Sequence, residues 1–188
     1  MAPPELMFFR NDRRPSLRER LWLRGQMRRI DRHVRASGWS AAPFQLPHDH
    51  APRFFYTIGF DESLNQPELI VFDQAAEVAI NAFYTAFERL RTGELVLEDG
   101  MLWAEDDHGR CVARRVHPEQ VAAGWLGLAT ERRRKTKGDA DGLQAFQLVA
   151  SDTSGFMPWE SGYDDSVRKW QPALYETDDS AAIQKAPA

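Results

Sequence analysis

Residues 54–73 constrain the fold most, because two β-prone runs follow each other there with only a short polar connection. The first run is aromatic or β-branched at most positions, and it ends at Phe60. The second run contains Ile70, Val71 and Phe72 in direct succession. Residues 61–67 supply the turn-forming residues expected between neighbouring strands. We therefore predict a central strand pair around which the rest of the chain is arranged.

Three helices are predicted to flank this pair, because apolar residues recur at helical spacing in three places. Their predicted starts are Ser16, in a capping box with Glu19, then Asp73 as an N-cap, and Pro118 with His117 as its cap. The first two helices are predicted to end at Gly38 and Gly93. The apolar stripes are Leu23, Met27, Ile30 and Val34, then Ile80, Phe83, Phe87 and Leu90, and finally Val121, Trp125 and Leu128.

Further strands are predicted at residues 39–46, 101–105, 111–116 and 143–150. The middle two form a hairpin in which Gly109 provides a positive φ. The last strand is expected to lie beside the central pair. The chain is thus predicted to be α+β, with a mixed, mainly antiparallel sheet and about three flanking helices.

Length and composition predict one domain, because 188 residues of which 43% are apolar can bury one substantial core. We expect an irregular segment at 1–15, the domain at 16–175 and a disordered tail at 176–188. Cys111 is the sole cysteine, which indicates packing rather than a disulfide. The N-terminus lacks a basic region followed by a long apolar run, so we expect a cytoplasmic protein without a membrane partner.

Charge is segregated along the chain, although the net charge is only -4. Residues 10–35 carry a local charge of about +7, so the remainder carries about -11. These charges either form a solvated face or bind an anionic partner. The positions predicted for such a partner are Arg20, Arg24, Arg28 and Arg32 on the first helix and Arg132, Arg133 and Arg134 in a polar loop.

Two clusters have residue types that bind metals, but both are better explained as turns. His48, Asp49 and His50 lie between prolines, and no third ligand is identifiable from spacing. Asp106, Asp107 and His108 could form a metal or acid–base cluster, but they lie in the hairpin turn, where such residues form local hydrogen bonds. We therefore predict no metal and no cofactor.

Four motifs resemble a known family when they are taken together. They are Tyr56-Thr57-Ile58-Gly59-Phe60, Pro67-Glu68-Leu69-Ile70-Val71, the Gln147-Leu148-Val149 strand, and Pro158-Trp159-Glu160 with Gly162-Tyr163-Asp164. In this order and spacing they resemble the bacterial domain of unknown function family 4262, over about residues 39–175. The position before Pro67, commonly histidine in that family, is Gln66 here. The resemblance implies a compact α+β domain and carries no established activity, substrate or cofactor.

The first functional hypothesis is a non-catalytic domain that binds a small molecule or a protein. Tyrosine and tryptophan offer flat apolar faces with one polar atom, and the other polar side chains could orient a ligand. The alternative is that these polar groups satisfy buried backbone groups. The candidate ligand-binding residues are Tyr56, Thr57, Glu68, Gln147, Trp159 and Tyr163.

Two other hypotheses belong to different classes. A hydrolase or transferase would use Glu68 as acid or base with Asp152, Glu160 or His117 as partner, although no motif for a reaction is present. Nucleic-acid association through the basic tracts is the third hypothesis, and it predicts weak, salt-dependent binding. A homodimer is kept as an alternative state of the chain.

Overall fold

The structure is a computed structural model that describes residues 16–44, 52–106 and 109–177. Six strands and five α-helices occur in these ranges, with one 3-10 turn at Asp165–Val167. The strands are β1 (Ser40–Phe44), β2 (Phe54–Ile58), β3 (Glu68–Phe72), β4 (Met101–Asp106), β5 (Gly109–Arg115) and β6 (Ala145–Ala150). The helices are α1 (Leu17–Ser37), α2 (Phe60–Ser63), α3 (Ala76–Thr92), α4 (Pro118–Ala122) and α5 (Gly127–Lys137).

The strands form one mixed sheet in the order β1-β2-β3-β6-β5-β4. Every neighbouring pair is antiparallel except β3 and β6, which run parallel. A parallel pair requires a long connection, and here the connection contains α3, the β4–β5 hairpin, α4 and α5. The α+β class, the strand pair at 54–73 and the position of the last strand beside it are thereby confirmed.

Helices cover both faces of the sheet. On one face α1 packs its stripe of Met27, Ile30 and Val34 against β2 and β3, together with α4 and α5. On the other face α3 buries Phe83 and Phe87. Such a two-sided core explains why β3 is buried along its whole length.

The sequence predicted α1 correctly, because its apolar spacing and its stop signal agree. Gly38 adopts a φ of 82°, and its N–H donates to the Val34 carbonyl over 2.8 Å. The predicted N-terminal capping box includes the Glu19 side chain, which lies outside the described part of the structure.

Two helix predictions were wrong in detail. The residue that caps α3 is Ala75 and not Asp73, because Asp73 turns to a φ of 48° and its N–H still donates to the Arg53 carbonyl beside β2. Phe83, Phe87 and Leu90 of the predicted stripe are buried as expected. Only its first position differs, because Ala79 is buried and Ile80 is 38% exposed.

The region after Pro118 forms two helices where one was predicted. Gly124, with a φ of 97°, separates α4 from α5. His117 caps α4 as predicted, because its Nδ1 accepts from the Glu119 N–H over 3.3 Å. The basic tract predicted as a loop therefore lies in α5, which ends at Gly138.

Several predictions fall outside the described ranges: the 1–15 segment, the His48-Asp49-His50 loop, the Asp107-His108 turn and residues 178–188. The hairpin itself is confirmed, since β4 and β5 pair antiparallel and Gly109 has a φ of 131°. Across the described residues, no helix is both long and apolar enough to cross a membrane.

Candidate functional site

The Glu68 carboxylate is buried at the first position of β3, and both of its oxygens accept hydrogen bonds. Oε1 accepts from the N–H groups of Gly59 at 2.8 Å and Asp61 at 3.3 Å. Oε2 accepts from the Thr57 hydroxyl at 2.6 Å and the Phe60 N–H at 3.3 Å. The carboxylate thus satisfies the backbone donors at the start of α2, which has no N-cap side chain of its own.

Thr57 and Gly59 complete this hydrogen-bonded unit. The Thr57 hydroxyl accepts from the Leu69 N–H over 2.8 Å while it donates to Glu68. Gly59 has a φ of 116°, and a Cβ at this position would lie 2.9 Å from the Gly38 carbonyl oxygen. The Tyr56–Phe60 and Pro67–Val71 motifs are therefore two halves of one structural feature, which we call the Glu68 unit (Thr57, Gly59, Phe60, Asp61 and Glu68).

Burial dominates the electrostatics of the Glu68 unit. Desolvation raises the pKa of Glu68, and the hydrogen bonds from Thr57 and the three backbone N–H groups oppose this effect. Burial likewise raises the pKa of Tyr56, whose hydroxyl accepts from the Leu128 N–H over 3.1 Å. A cavity of about 10 Å³ adjoins Glu68, which is room for about one water molecule.

The basic tract of α5 closes this cavity through ion pairs that the sequence did not reveal. Arg132 is 6% exposed and donates to Asp31 on α1 at 2.5 Å and to Glu62 on α2 at 2.7 Å. Arg133 donates to Asp61 at 2.6 Å and is also paired with Asp139. These arginines join α5 to α1 and α2.

The remaining cations of the tract are paired as well. Arg134 and Lys135 lie within 4.0 Å of Glu131, and Lys137 donates to Asp61 over 3.0 Å. The local charge of α5 is therefore largely neutralised inside the chain.

The carboxylates proposed as partners of Glu68 are engaged elsewhere. Asp152 accepts from the N–H groups of Ser154, Phe156 and Asp164, each at 2.9 Å, and the Asp164 bond contributes most to lowering its pKa. Glu160 accepts from Arg110 at 2.5 Å, and this contact lowers the pKa of Glu160.

The residues proposed as acid–base partners of Glu68 were Asp152, Glu160 and His117, and His117 caps α4. Among the described residues, none of the three hydrogen-bonds to Glu68. The structure therefore does not bring the proposed acid–base set together.

Gln147 anchors the C-terminal segment to β6. Its amide donates to the Pro172 carbonyl and its oxygen accepts from the Leu174 N–H, both over 2.9 Å. Gln171 makes a second such anchor, because its side chain pairs with both backbone groups of Ala150. The polar atoms of Gln147 thus satisfy backbone groups, as the alternative interpretation of this residue predicted.

One cross-strand row links the predicted residues to a surface cluster. Strand register aligns Tyr56 with Ile70, Ile70 with Gln147, and Gln147 with Arg114. Since residues in register lie on one face of a sheet, Arg114 is directed toward the C-terminal segment that Gln147 holds.

Arg114 packs against two aromatic rings there. Its guanidinium carbon lies 4.9 Å from the Trp159 ring centroid and 4.4 Å from that of Tyr175. The two rings meet edge to face with centroids 5.8 Å apart, and Asp99 holds Arg114 through a 3.1 Å contact. We call Arg114, Trp159 and Tyr175 the Arg114 cluster.

Sequence reasoning identified Trp159 but missed Arg114 and Tyr175. Arg114 is part of an ordinary strand pattern, and only the register with Gln147 would have indicated its direction. Tyr163, the remaining candidate, packs under the Arg168 guanidinium at 5.1 Å, and burial raises its pKa.

The chain is thus an α+β domain with the buried carboxylate of Glu68 at the start of β3 and the Arg114 cluster at its surface. It belongs to the family described as domain of unknown function (DUF4262), whose model matches residues 33–164. The match includes the Glu68 unit, Arg114 and Trp159, whereas Tyr175 and most of α1 lie outside it. No curated protein and no solved structure matches the chain.

Proposed function

We propose that the protein is a non-catalytic binding domain, and that its partner is a protein or peptide that contacts the Arg114 cluster. The packing of the Arg114 guanidinium on Trp159 and Tyr175 carries the proposal, because Trp159 is also 42% exposed. Tryptophan, tyrosine and arginine are the residue types that contribute most binding energy at protein interfaces.

The rigidity of the cluster supports this proposal. Asp99 restrains Arg114, and Gln147 holds the segment that carries Tyr175. The chain beside Trp159 is held separately, because Arg168 donates to the Pro158 carbonyl over 2.6 Å. Binding to side chains that are already ordered costs less conformational entropy than binding to mobile ones. A partner would therefore meet a preformed aromatic surface.

The alternatives centred on Glu68 have less support. The adjoining cavity of about 10 Å³ is far smaller than the roughly 300–1,000 Å³ of ordinary ligand pockets. A substrate would also have to displace the backbone and hydroxyl donors that both oxygens of Glu68 already accept. These two facts disfavour a small-molecule pocket or an enzyme at this position.

We also propose a bacterial origin and a cytoplasmic location. The single cysteine supports a cytoplasmic location, because one thiol cannot form an internal disulfide of the kind common in secreted proteins. Burial raises the pKa of Cys111 to about 12, which keeps the thiol unreactive.

The test is to select displayed random peptides on the purified protein and to measure the affinity of the selected peptides for variants. We expect Trp159→Ala to weaken binding about thirtyfold or more, because truncation of a central interface residue costs about 2 kcal/mol or more. Arg114→Lys, which keeps the charge but loses the planar stacking, should weaken binding to a smaller extent.

Tyr84→Ala is the matched control, because Tyr84 is 60% exposed on α3, at the opposite face of the sheet. Thermal melting of each variant establishes that the fold is intact. The proposal is wrong if no peptide is enriched, or if the enriched peptides bind the Trp159 variant as tightly as the original protein.

A further inference from the structure

The outer face of α1 carries an unusual concentration of arginine. Its apolar stripe is used in the core, since Met27, Ile30 and Val34 are all buried against the sheet. The remaining surface carries seven arginines and no lysine, and all seven are exposed: Arg18, Arg20, Arg24, Arg28, Arg29, Arg32 and Arg35.

These arginines differ from the cations of α5 in one respect. Each cation of the α5 tract lies within 4.0 Å of a carboxylate. Within the described ranges, no carboxylate lies that close to any arginine of α1. Asp31 on α1 could have neutralised its neighbours, but it accepts a hydrogen bond from Arg132 of α5 instead. Among the residues that the structure describes, the arginines of α1 therefore face solvent without an ion-pair partner.

The spacing of four of these residues forms a line of positive charge. Arg20, Arg24, Arg28 and Arg32 recur every fourth residue, which places successive Cα atoms about 6 Å apart along the helix axis. An open groove of about 500 Å³ runs beside three of the arginines and is lined by Arg28, Asp31, Arg32, Arg35 and Ala36. Asp31 is its one acidic residue, and it is already paired with Arg132. A polyanion with closely spaced charges fits such a surface, and guanidinium groups bind phosphate oxygens in a bidentate manner.

We propose that the outer face of α1 binds the phosphate backbone of a nucleic acid, without reading its sequence. This site is independent of the Arg114 cluster. Outside residues 10–35 the chain has a net charge of about -11, so that part repels the same polyanion and favours contact at α1.

A lipid surface fits α1 less well than a nucleic acid does. Membrane-surface helices insert an apolar face, but the apolar face of α1 is already buried in the protein. The exposed apolar residues of α1, Leu17, Leu21 and Trp22, lie only in its first two turns and do not continue along the arginine face.

The experiment measures fluorescence anisotropy of a labelled oligothymidylate with the full chain at several salt concentrations. We expect binding at low salt and a linear fall of log K with log salt. The triple variant Arg24→Gln, Arg28→Gln, Arg32→Gln should bind about tenfold or more weakly. Its salt slope should be lower by about 2, because each lost phosphate contact removes roughly 0.7 for a single strand.

The matched control removes the same charge elsewhere, through Arg53→Gln, Arg89→Gln and Arg91→Gln. These residues are exposed, with Arg89 and Arg91 on α3 and Arg53 just before β2. We expect the control variant to keep most of the affinity for the oligothymidylate and to show the same slope of log K against log salt as the original protein.

Glutamine preserves helix propensity, and thermal melting checks the fold. Equal losses in the two triple variants would overturn the proposal, as would the absence of oligonucleotide binding at low salt. Binding to vesicles that contain phosphatidylserine, with no binding to the oligonucleotide, would also overturn it.

Discussion

Arg132 donates to Asp31, which lies 101 residues earlier in the chain, with 2.5 Å between Nη1 and Oδ1. The same guanidinium donates to Glu62 through Nε, so a single side chain joins α1, α2 and α5. This contact also engages Asp31, a carboxylate that lies among the arginines of α1.

Replacement of this guanidinium should destabilise the fold. In Arg132→Met, the carboxylates of Asp31 and Glu62 lose their partner, but both are partly exposed and can regain water. We expect a loss of roughly 2 kcal/mol in the free energy of unfolding, below the cost of breaking a fully buried pair. Urea denaturation measures this loss.

Arg134→Met provides the comparison for that variant. The Arg134 side chain is 58% exposed and pairs with the nearby Glu131, so its loss should cost less than about 1 kcal/mol. Equal costs for the two variants would contradict a structural role for the Arg132 contacts.

The pH dependence of stability should reveal the buried state of Glu68. Burial raises its pKa in the folded protein above the ordinary value of 4.5, so the folded state holds this proton more tightly than the unfolded state does. The stability contributed by Glu68 is therefore fully present below about pH 4.5 and declines as the pH rises through the folded pKa. Glutamine at this position does not titrate. The original protein should therefore lose stability relative to the Glu68→Gln variant as the pH rises over that range.

Asp152→Asn should give the opposite slope in the same denaturation series. Backbone hydrogen bonds, that of Asp164 first, lower the pKa of Asp152 below 3.8, so its contribution is present above that pH and is lost as the pH falls through the folded pKa. Slopes of the same sign for the two variants would refute the assignment of Glu68 as a desolvated carboxyl.

Gly59→Ala should lower the free energy of unfolding for two separate reasons. The residue adopts a φ of 116°, and the new methyl group would lie 2.9 Å from the Gly38 carbonyl oxygen. We expect a loss of roughly 2–4 kcal/mol, from backbone strain and the displaced contact together.

Gly93→Ala isolates the first of these reasons. Gly93 also has a positive φ, of 77°, but no atom within 4 Å would meet the added methyl group. Its cost should be about 1 kcal/mol. If the two glycine variants unfold at the same urea concentration, the close approach between Gly59 and Gly38 does not contribute.

Local patterns predicted the fold well wherever neighbouring residues decide the structure. The stripe of α1 and the strand pair within 54–73 were predicted correctly, because each contains its own spacing and stop signals. Phe60, predicted as the end of the first run, instead begins α2 after the Gly59 cap. The region after Pro118 was predicted as one helix because Trp125 and Leu128 continue the spacing of Val121. Gly124 interrupts that helix, and Trp125 instead packs on Phe54 at a centroid distance of 5.3 Å.

The candidate site was predicted less well, because its contacts join distant parts of the chain. Thr57 and Glu68 were identified as candidates, but no spacing rule indicates that they bond to each other over 2.6 Å. The contact between Arg114 and Tyr175 depends on the register of β5 with β6 and on the anchors beyond β6. Such relationships arise from the tertiary fold, and no local pattern contains them.

The parallel pairing of β3 with β6 has a consequence for the sheet as a whole. It joins a set formed by β1, β2 and β3 to a set formed by β6, β5 and β4 through a register of four residue pairs, of which Glu68 with Ala145 is the first. Until β6 has been synthesised, the nascent chain has no partner for the inner edge of β3, and the hairpin of β4 and β5 has none for β5. The open edge of β3 is rich in apolar residues, whereas β5 carries three arginines. The interval before Ala145 emerges from the ribosome is therefore when β3 is most exposed to pairing with other molecules.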